Sequence, residues 1–355
     1  MKQEKRQATG SVTLQNVADE AGVSVGSVSA ILNNRHVERR IASDTVEKVR
    51  AVAAKLGYFP NIGARRLRRI GGHGHNPIVA FVTSYGSPFN VANQFMQTLR
   101  HSGSKGKTGG LVSDFSLLIE MFSPGRLRDL PGLLTGDHFN AAIIANTTPE
   151  DDRYLSRTRL PYPVVMVNRT IPLYACVLED PKAGAMAAEA FVRVKKRKRL
   201  AVLHGSPLTQ TTHARVSSYV SASQELLGQP AETIAAKDLS EIGAFEAMTS
   251  FLANGQKIDA LYAVSDSMVL GAYHAIKRRK LRIPEEVAII GVGDHEASAF
   301  YDPPLSWIGV PRTRIGEEVN RLLITQLRHP AREPEHVQIP VETTLRGSTG
   351  DRAEF

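Results

Sequence analysis

Residues 13–24 constrain this chain more than any other stretch, because they read as helix, tight turn, helix. Thr13 stands where a helix N-cap is needed, and Leu14, Val17, Ala18 and Ala21 then recur at helical spacing. Gly22 permits a turn with positive φ, Val23 supplies an apolar group for a small core, and Ser24 can cap a second helix over 25–33. The spacing predicts a third helix over 44–56 from Val46, Val49, Val52, Ala53 and Leu56, stopped by Gly57. Three short helices with a glycine turn between the first two match a helix-turn-helix, whose second helix fits the DNA major groove. A plain helical bundle would carry the same periodicity, so a second signal has to separate the two.

Charge supplies that signal. The first 70 residues hold thirteen Lys or Arg against six Asp or Glu, which is seven of the chain's nine net positive charges. Charge gathered on one small module is the footprint of phosphate binding rather than of an ordinary solvated face. After the helix-breaking Tyr58, Phe59 and Pro60, Asn61 opens another short helix, in which Ala64 and Leu67 are set among Arg65, Arg66, Arg68 and Arg69. An apolar side chain in a cluster of arginines suits a wedge driven between base steps of the minor groove. Gly63 weakens that helix by about 1 kcal/mol relative to Ala, so it is expected to order only on DNA. Gly71, Gly72, His73, Gly74, His75 and Asn76 then read as linker, the two histidines having no partners for a metal.

The remainder is of a different kind. At 355 residues the chain is too long for a single core. Short apolar runs at 78–82, 141–145, 164–167, 200–203, 260–264 and 287–292 are separated by helical stretches, the pattern of buried parallel strands in an α/β fold. One cysteine, Cys176, excludes an intrachain disulfide and fits a reducing cytoplasm. The charged N-terminus is not a signal peptide, and no apolar stretch approaches membrane-spanning length, so no membrane partner is expected. Enzyme readings fail on the composition of the motifs. Gly291, Val292 and Gly293 follow a strand but lack the third glycine of a dinucleotide loop, and Asp294, His295 and Glu296 are adjacent residues that rarely converge on one ion. No Walker loop, Gly-x-Ser-x-Gly elbow or Cys-x-x-Cys occurs, so no catalytic residue, metal or cofactor is expected.

Several strings, in order, resemble the LacI/GalR transcription regulators. They are Val12–Leu14 through Ala18, Ala21 to Ser24, Val28 with Ser29, Leu32 with Asn33, Val49 with Leu56 to Tyr58, and Pro60 and Asn61 leading to Ala64 and Leu67. Further on, Pro88 with Phe89, Asp266 to Ala272, Ile283 to Gly291, Pro303 to Leu305 and Leu345 to Thr349 continue the likeness, which spans about residues 11–349. The resemblance implies an all-α helix-turn-helix domain over 1–59, a hinge helix and linker over 60–76, and a two-lobed periplasmic-binding-protein-like α/β domain with parallel sheets over 77–350. A small-molecule effector, a sugar or related metabolite, would sit between the lobes. Effector positions implied by the resemblance are Ser84, Phe89, Arg169, Arg215, Asp266 and Asp294, with Arg215 where the family holds ligand hydroxyls or carboxylates. Asp266 could instead cap a helix over 267–274. A cytoplasmic, nucleoid-associated homodimeric repressor on a near-palindromic operator follows. The alternatives are a degenerate cleft that binds no sugar, or a solute receptor. The chain ends six residues after Thr349, which leaves no added association helix and favours a dimer over a tetramer.

Departures from the family bear on mechanism. Its base-reading positions are here Val25, Gly26 and Ala30, none of which can make a bidentate hydrogen bond to a base edge. Ser27 and Ser29 offer phosphate contacts or single hydrogen bonds, with Thr13, Ser24, Asn33 and Asn61 as further DNA-binding candidates. Ser265 replaces the usual Asn before Asp266, and Gly293 replaces an Asp, which removes groups that hold sugar hydroxyls. DNA affinity should therefore lean on phosphate contacts by Arg35, Arg39, Arg40, Arg65, Arg66, Arg68 and Arg69 and on the hinge. Leu67→Ala is expected to weaken operator binding and bending sharply in a gel-shift and bending assay, with Ala30→Ser changing little. Unchanged affinity and bending in Leu67→Ala would return specificity to the recognition helix.

Overall fold

A computed structural model describes residues 13–32, 36, 39–56, 78–85, 116–130, 132–134, 138–293, 296–329 and 332–351. The chain divides into two compact units, residues 1–73 and 74–355. The first holds α1 (Leu14–Ala21), α2 (Val25–Leu32) and α3 (Ser43–Lys55). Thr13 caps α1 in a reciprocal box, its hydroxyl accepting from the Asn16 amide while Asn16 Oδ1 accepts from the Thr13 amide at 2.8 Å. Gly22 ends the helix at φ 66°, a left-handed conformation that costs glycine nothing, and its amide donates to the carbonyls of Ala18 and Asp19. Ser24 Oγ accepts from the Ser27 amide at 3.1 Å and opens α2. Val17, Ala18, Ala21, Val28, Ile31, Val46, Val49 and Ala53 form the core of this unit. The third helix begins one residue before the expected Asp44.

The second unit is built on two six-stranded sheets. In the first, β1 (Ile78–Ser84), β2 (Ser116–Phe122), β3 (Ala141–Ile144), β4 (Val164–Val167), β5 (Ala175–Glu179) and β11 (His336–Ile339) run parallel in the order β11-β5-β4-β3-β1-β2. The second has the order β12-β10-β9-β8-β6-β7, from β6 (Leu200–Gly205), β7 (Glu232–Ala236), β8 (Ala260–Ala263), β9 (Ala288–Gly291), β10 (Ser306–Gly309) and β12 (Glu342–Thr344). Only β12 runs against its neighbour there. Each sheet and its helices make one lobe. The helices, in order, are α4 (Pro149–Leu155), α5 (Ala183–Glu189), α6 (Gln210–Leu227), α7 (Glu241–Ala253), α8 (Asp266–Arg278) and α9 (Arg312–Arg328). The chain crosses between lobes after β5, after β10 and again between β11 and β12.

All six apolar runs are strands, and the reason is visible in β1. Ile78, Ala80 and Val82 enter one core while Val79 and Phe81 enter the core on the opposite face, so both faces need apolar side chains and no alternation shows. Cys176 is buried in β5, where burial pushes its thiol up to about 11 and leaves it unreactive at neutral pH. Among the described residues, no helix is long and apolar enough to cross a membrane.

Helix α5 lies directly against α6. A β-carbon placed on Gly184 would come 2.0 Å from the Arg215 carbonyl oxygen and 2.8 Å from the Tyr219 amide nitrogen, so backbone meets backbone at this crossing. Gly184→Ala must push the helices apart in a close-packed lobe and is expected to cost about 3 kcal/mol, read as a lower midpoint in urea unfolding. An unchanged midpoint would show that the crossing can yield.

Candidate DNA-binding helices and ligand cleft

In the first unit, α2 and its cap present Ser24 and Gly26 with the half-buried Val25, Ser27 and Ser29. The Ser24 and Ser27 hydroxyls lie 2.9 Å apart and bond each other. Val25 packs partly onto the helical core, which leaves only part of its side chain for a partner. Ala30, at the third of the base-reading positions, is buried. It is 7 % exposed, because its single methyl hardly rises above the helix surface and is covered by its surroundings. Arg39 and Arg40 are both exposed, and Arg40 has a left-handed backbone at φ 50°. Asn33, Arg35, Asn61, Ala64, Arg65, Leu67 and Arg68, with the expected hinge, lie outside the described residues.

The cleft follows from strand direction. Parallel strands deliver their C-terminal ends to one side of a sheet, and loops leaving those ends form the natural ligand site. Here the ends of β1, β3, β4 and β5 from one lobe and of β6 to β9 from the other line a single cavity of about 320 Å³. It brings together Ser84, Arg169, Arg215 and Asp266. Phe89 and Asp294 lie outside the described residues. Asn146 and Asn168 also line it, holding left-handed backbone at φ 58° and 55° just after their strands. Asn168 Oδ1 accepts from the Glu179 amide at 3.0 Å, and Asn146 Nδ2 donates to Thr83 Oγ1 at 3.0 Å. Sequence reasoning singles out neither asparagine. The available signal is an Asn at the end of an apolar run, a residue tolerant of that conformation.

Arg215 is the centre of the arrangement. It projects from α6 in one lobe, and Glu179 ends β5 in the other. Arg215 Nε donates to Glu179 Oε1 at 2.8 Å and Nη2 to Oε2 at 2.5 Å, a bidentate fork, while Nη1 donates to the Val264 carbonyl at 2.8 Å. The pair is buried, with the two side chains 12 % and 4 % exposed. Burial alone would lower the guanidinium pKa, but the Glu179 charge and hydrogen bonds outweigh it and raise the pKa above the ordinary value. The site that sequence resemblance assigned to a ligand is thus already holding a carboxylate of the chain itself.

Arg169 is likewise engaged. Its Nη2 and Nε donate to Thr147, its Nη1 donates to the Asn168 carbonyl at 2.6 Å and to Thr211 Oγ1 at 3.3 Å, and Asp152 lies 3.7 Å away. Burial lowers its pKa, partly opposed by Asp152. Thr211 belongs to α6, and its hydroxyl donates to the Asn168 carbonyl at 3.0 Å, a second polar tie between lobes. Asp266 does not cap a helix from outside. It is the first residue of α8, and Ser265 is the extended N-cap, with its hydroxyl 2.9 Å from Ser267 Oγ. Asp238 lines the cleft after β7 and is held below the usual carboxylate range, chiefly by the Ser240 hydroxyl. Gly293, with φ 76°, forms part of the wall. Among the described residues, no cluster of His, Cys, Asp or Glu could hold a metal.

A three-helix unit with a capped turn, followed by two α/β lobes around a cleft, defines a DNA-binding regulator with a binding-protein core. Comparison with known proteins makes the class specific. The family described as "Bacterial regulatory proteins, lacI family" matches residues 13–61, and "Periplasmic binding protein-like domain" matches 189–349. The HTH-type transcriptional repressor CytR of Escherichia coli (strain K12) is 27 % identical over 350 residues, 97 % of this chain and 98 % of that protein. The ribose operon repressor of the same strain is 25 % identical over 344 residues, 95 % of this chain and 99 % of that protein. A crystal structure of the lac repressor dimer bound to operator and the anti-inducer ONPF shares the fold at a TM-score of 0.67 and 21 % identity, over 95 % of this chain and 99 % of that one. Residues 13–61 thus carry the lacI-family segment of bacterial regulatory proteins, and two transcription repressors match the chain over nearly its whole length.

Arg169→Met removes every donor that this guanidinium gives to the Thr147 and Asn168 carbonyls. Leaving buried acceptors bare, and Asp152 without its cation, is expected to cost about 3–5 kcal/mol in urea unfolding at neutral pH. A loss below about 1 kcal/mol would mean that water replaces the guanidinium.

Proposed function

We propose that this protein is a homodimeric transcription repressor whose operator affinity is set by a small molecule in the interlobe cleft. One observation carries the reading: a basic helix-turn-helix unit shares its chain with a cavity walled by strand ends from two lobes. The domains are then residues 1–59 for DNA, 60–76 as hinge and linker, and 77–350 for effector binding and dimerisation. A two-fold dimer offers the same helix twice and so reads a near-palindrome. Ser24, Val25, Gly26, Ser27, Ser29, Arg39 and Arg40 meet the operator from α2, its cap and its following loop, and the protein works at the nucleoid in the cytoplasm. Both relatives named above are repressors, and the solved neighbour is described with its operator, which supports the direction of regulation.

Ligand in the cleft changes DNA affinity only through different affinities for two lobe arrangements. Arg215 serves this by tying the lobes, since its fork is spent on Glu179. Sequencing of genomic fragments retained by the purified protein tests the reading, and a shared near-palindromic site is expected. Fragments retained without any shared sequence would overturn it. Arg215→Met combined with Glu179→Gln, which leaves no buried charge unpaired, is expected to keep fragment binding while losing the response to whichever sugar shifts binding by the wild type. An undiminished response would remove Arg215 from the coupling.

A further inference from the structure

We propose that Glu179 is a built-in occupant of the Arg215 anion site, which closes the cleft to anionic ligands and makes a neutral polyhydroxylated molecule the effector. The inference rests on reading the cleft as the ligand site. Among the described residues two cations line the cavity, and both are spent on the chain itself. The Arg215 fork holds Glu179, with Nη1 on the Val264 carbonyl. Arg169 gives its nitrogens to Thr147, Asn168 and Thr211 and has Asp152 behind it. No Lys or His lines the cavity among the described residues, whereas Asp238 and Asp266 do. A phosphate or carboxylate entering here would meet Glu179, Asp238 and Asp266 with no uncommitted cation among the described residues, and a desolvated anion without a partner is strongly disfavoured.

A neutral ligand faces no such penalty. Hydroxyl groups both donate and accept, so they can donate to Asp238 and take up hydrogens that the two guanidinium groups still carry outside their internal bonds. The apolar wall, with Phe81, Val167, Leu239, Val264, Val310 and Ile315, suits the carbon faces of such a molecule. Glu179 thereby acts as a specificity residue, the carboxylate that a ligand acid would otherwise supply.

Chemical rescue tests this in the full-length protein. Glu179→Ala leaves a buried guanidinium unpaired, and a drop in Tm of roughly 10 °C is expected. Sodium acetate at about 100 mM should recover roughly half of that loss, against sodium chloride at equal ionic strength, because the ion seats on the vacated fork. Wild type and the double variant Glu179→Ala, Arg215→Met should show no difference between the two salts. If Glu179→Ala does not fold, Glu179→Gln takes its place, with acetate affinity by titration calorimetry expected at least about tenfold above wild type. Two results overturn the proposal: acetate stabilising wild type as much as the variant, or a folded variant indifferent to acetate. Acetate is only a probe of the fork, so failure to find an effector or an operator would strike the regulator reading and leave this outcome intact.

Discussion

The bidentate pair between Arg215 and Glu179 is the interaction on which the second unit depends. It joins α6 of one lobe to β5 of the other, and at 2.5 and 2.8 Å it is short enough to hold both side chains in one geometry. A surface pair of the same type would contribute little. Here both charges are withdrawn from water, so their stability is mutual: either alone would be a buried, uncompensated ion. The same contact engages the Val264 carbonyl and, through the Glu179 amide, the side chain of Asn168. Cleft shape, cleft charge and lobe separation are therefore one problem.

Thr211 shows how the coupling is spread along the start of α6. Its hydroxyl bonds the Asn168 carbonyl, Gln210 Oε1 accepts from the Thr170 amide at 3.1 Å, and Arg215 stands one turn further on. Thr209 caps the helix, in a box with Thr212. A tilt of this helix would strain all three interlobe contacts together, and Gly184 at its closest crossing limits the room for such a tilt. The start of α6 therefore has little slack between the lobes.

The first unit obeys a simpler logic. Capping at Thr13, the Gly22 turn and capping at Ser24 are local events, decided within a few residues, and the structure follows the expected order. Burial of Ala30 was not legible, because it depends on what surrounds α2 rather than on the α2 periodicity. In the lobes, strands buried on both faces announced themselves as apolar runs. Strands β2, β7 and β12 did not, since their half-exposed residues mix polar and apolar groups without a strict alternation. Strand β10 (Ser306–Gly309) did not either, since Ser306 and Gly309 leave Trp307 and Ile308 as its whole apolar signal.

Sequence by itself determined the classes of element, the concentration of charge in the first 70 residues and the positions Ser84, Arg169, Arg215 and Asp266 as candidates for one cleft. Those features are local or belong to strings whose order is recognisable along the chain. Tertiary structure alone decided what those side chains do. Glu179 and Arg215 are 36 residues apart and sit on different lobes, and no spacing rule pairs residues across such a distance. Whether an arginine facing a cleft awaits a ligand or has been neutralised depends on which carboxylate the fold carries to it. Here the fold made that choice, by bringing Glu179 at the end of β5 to the fork on α6.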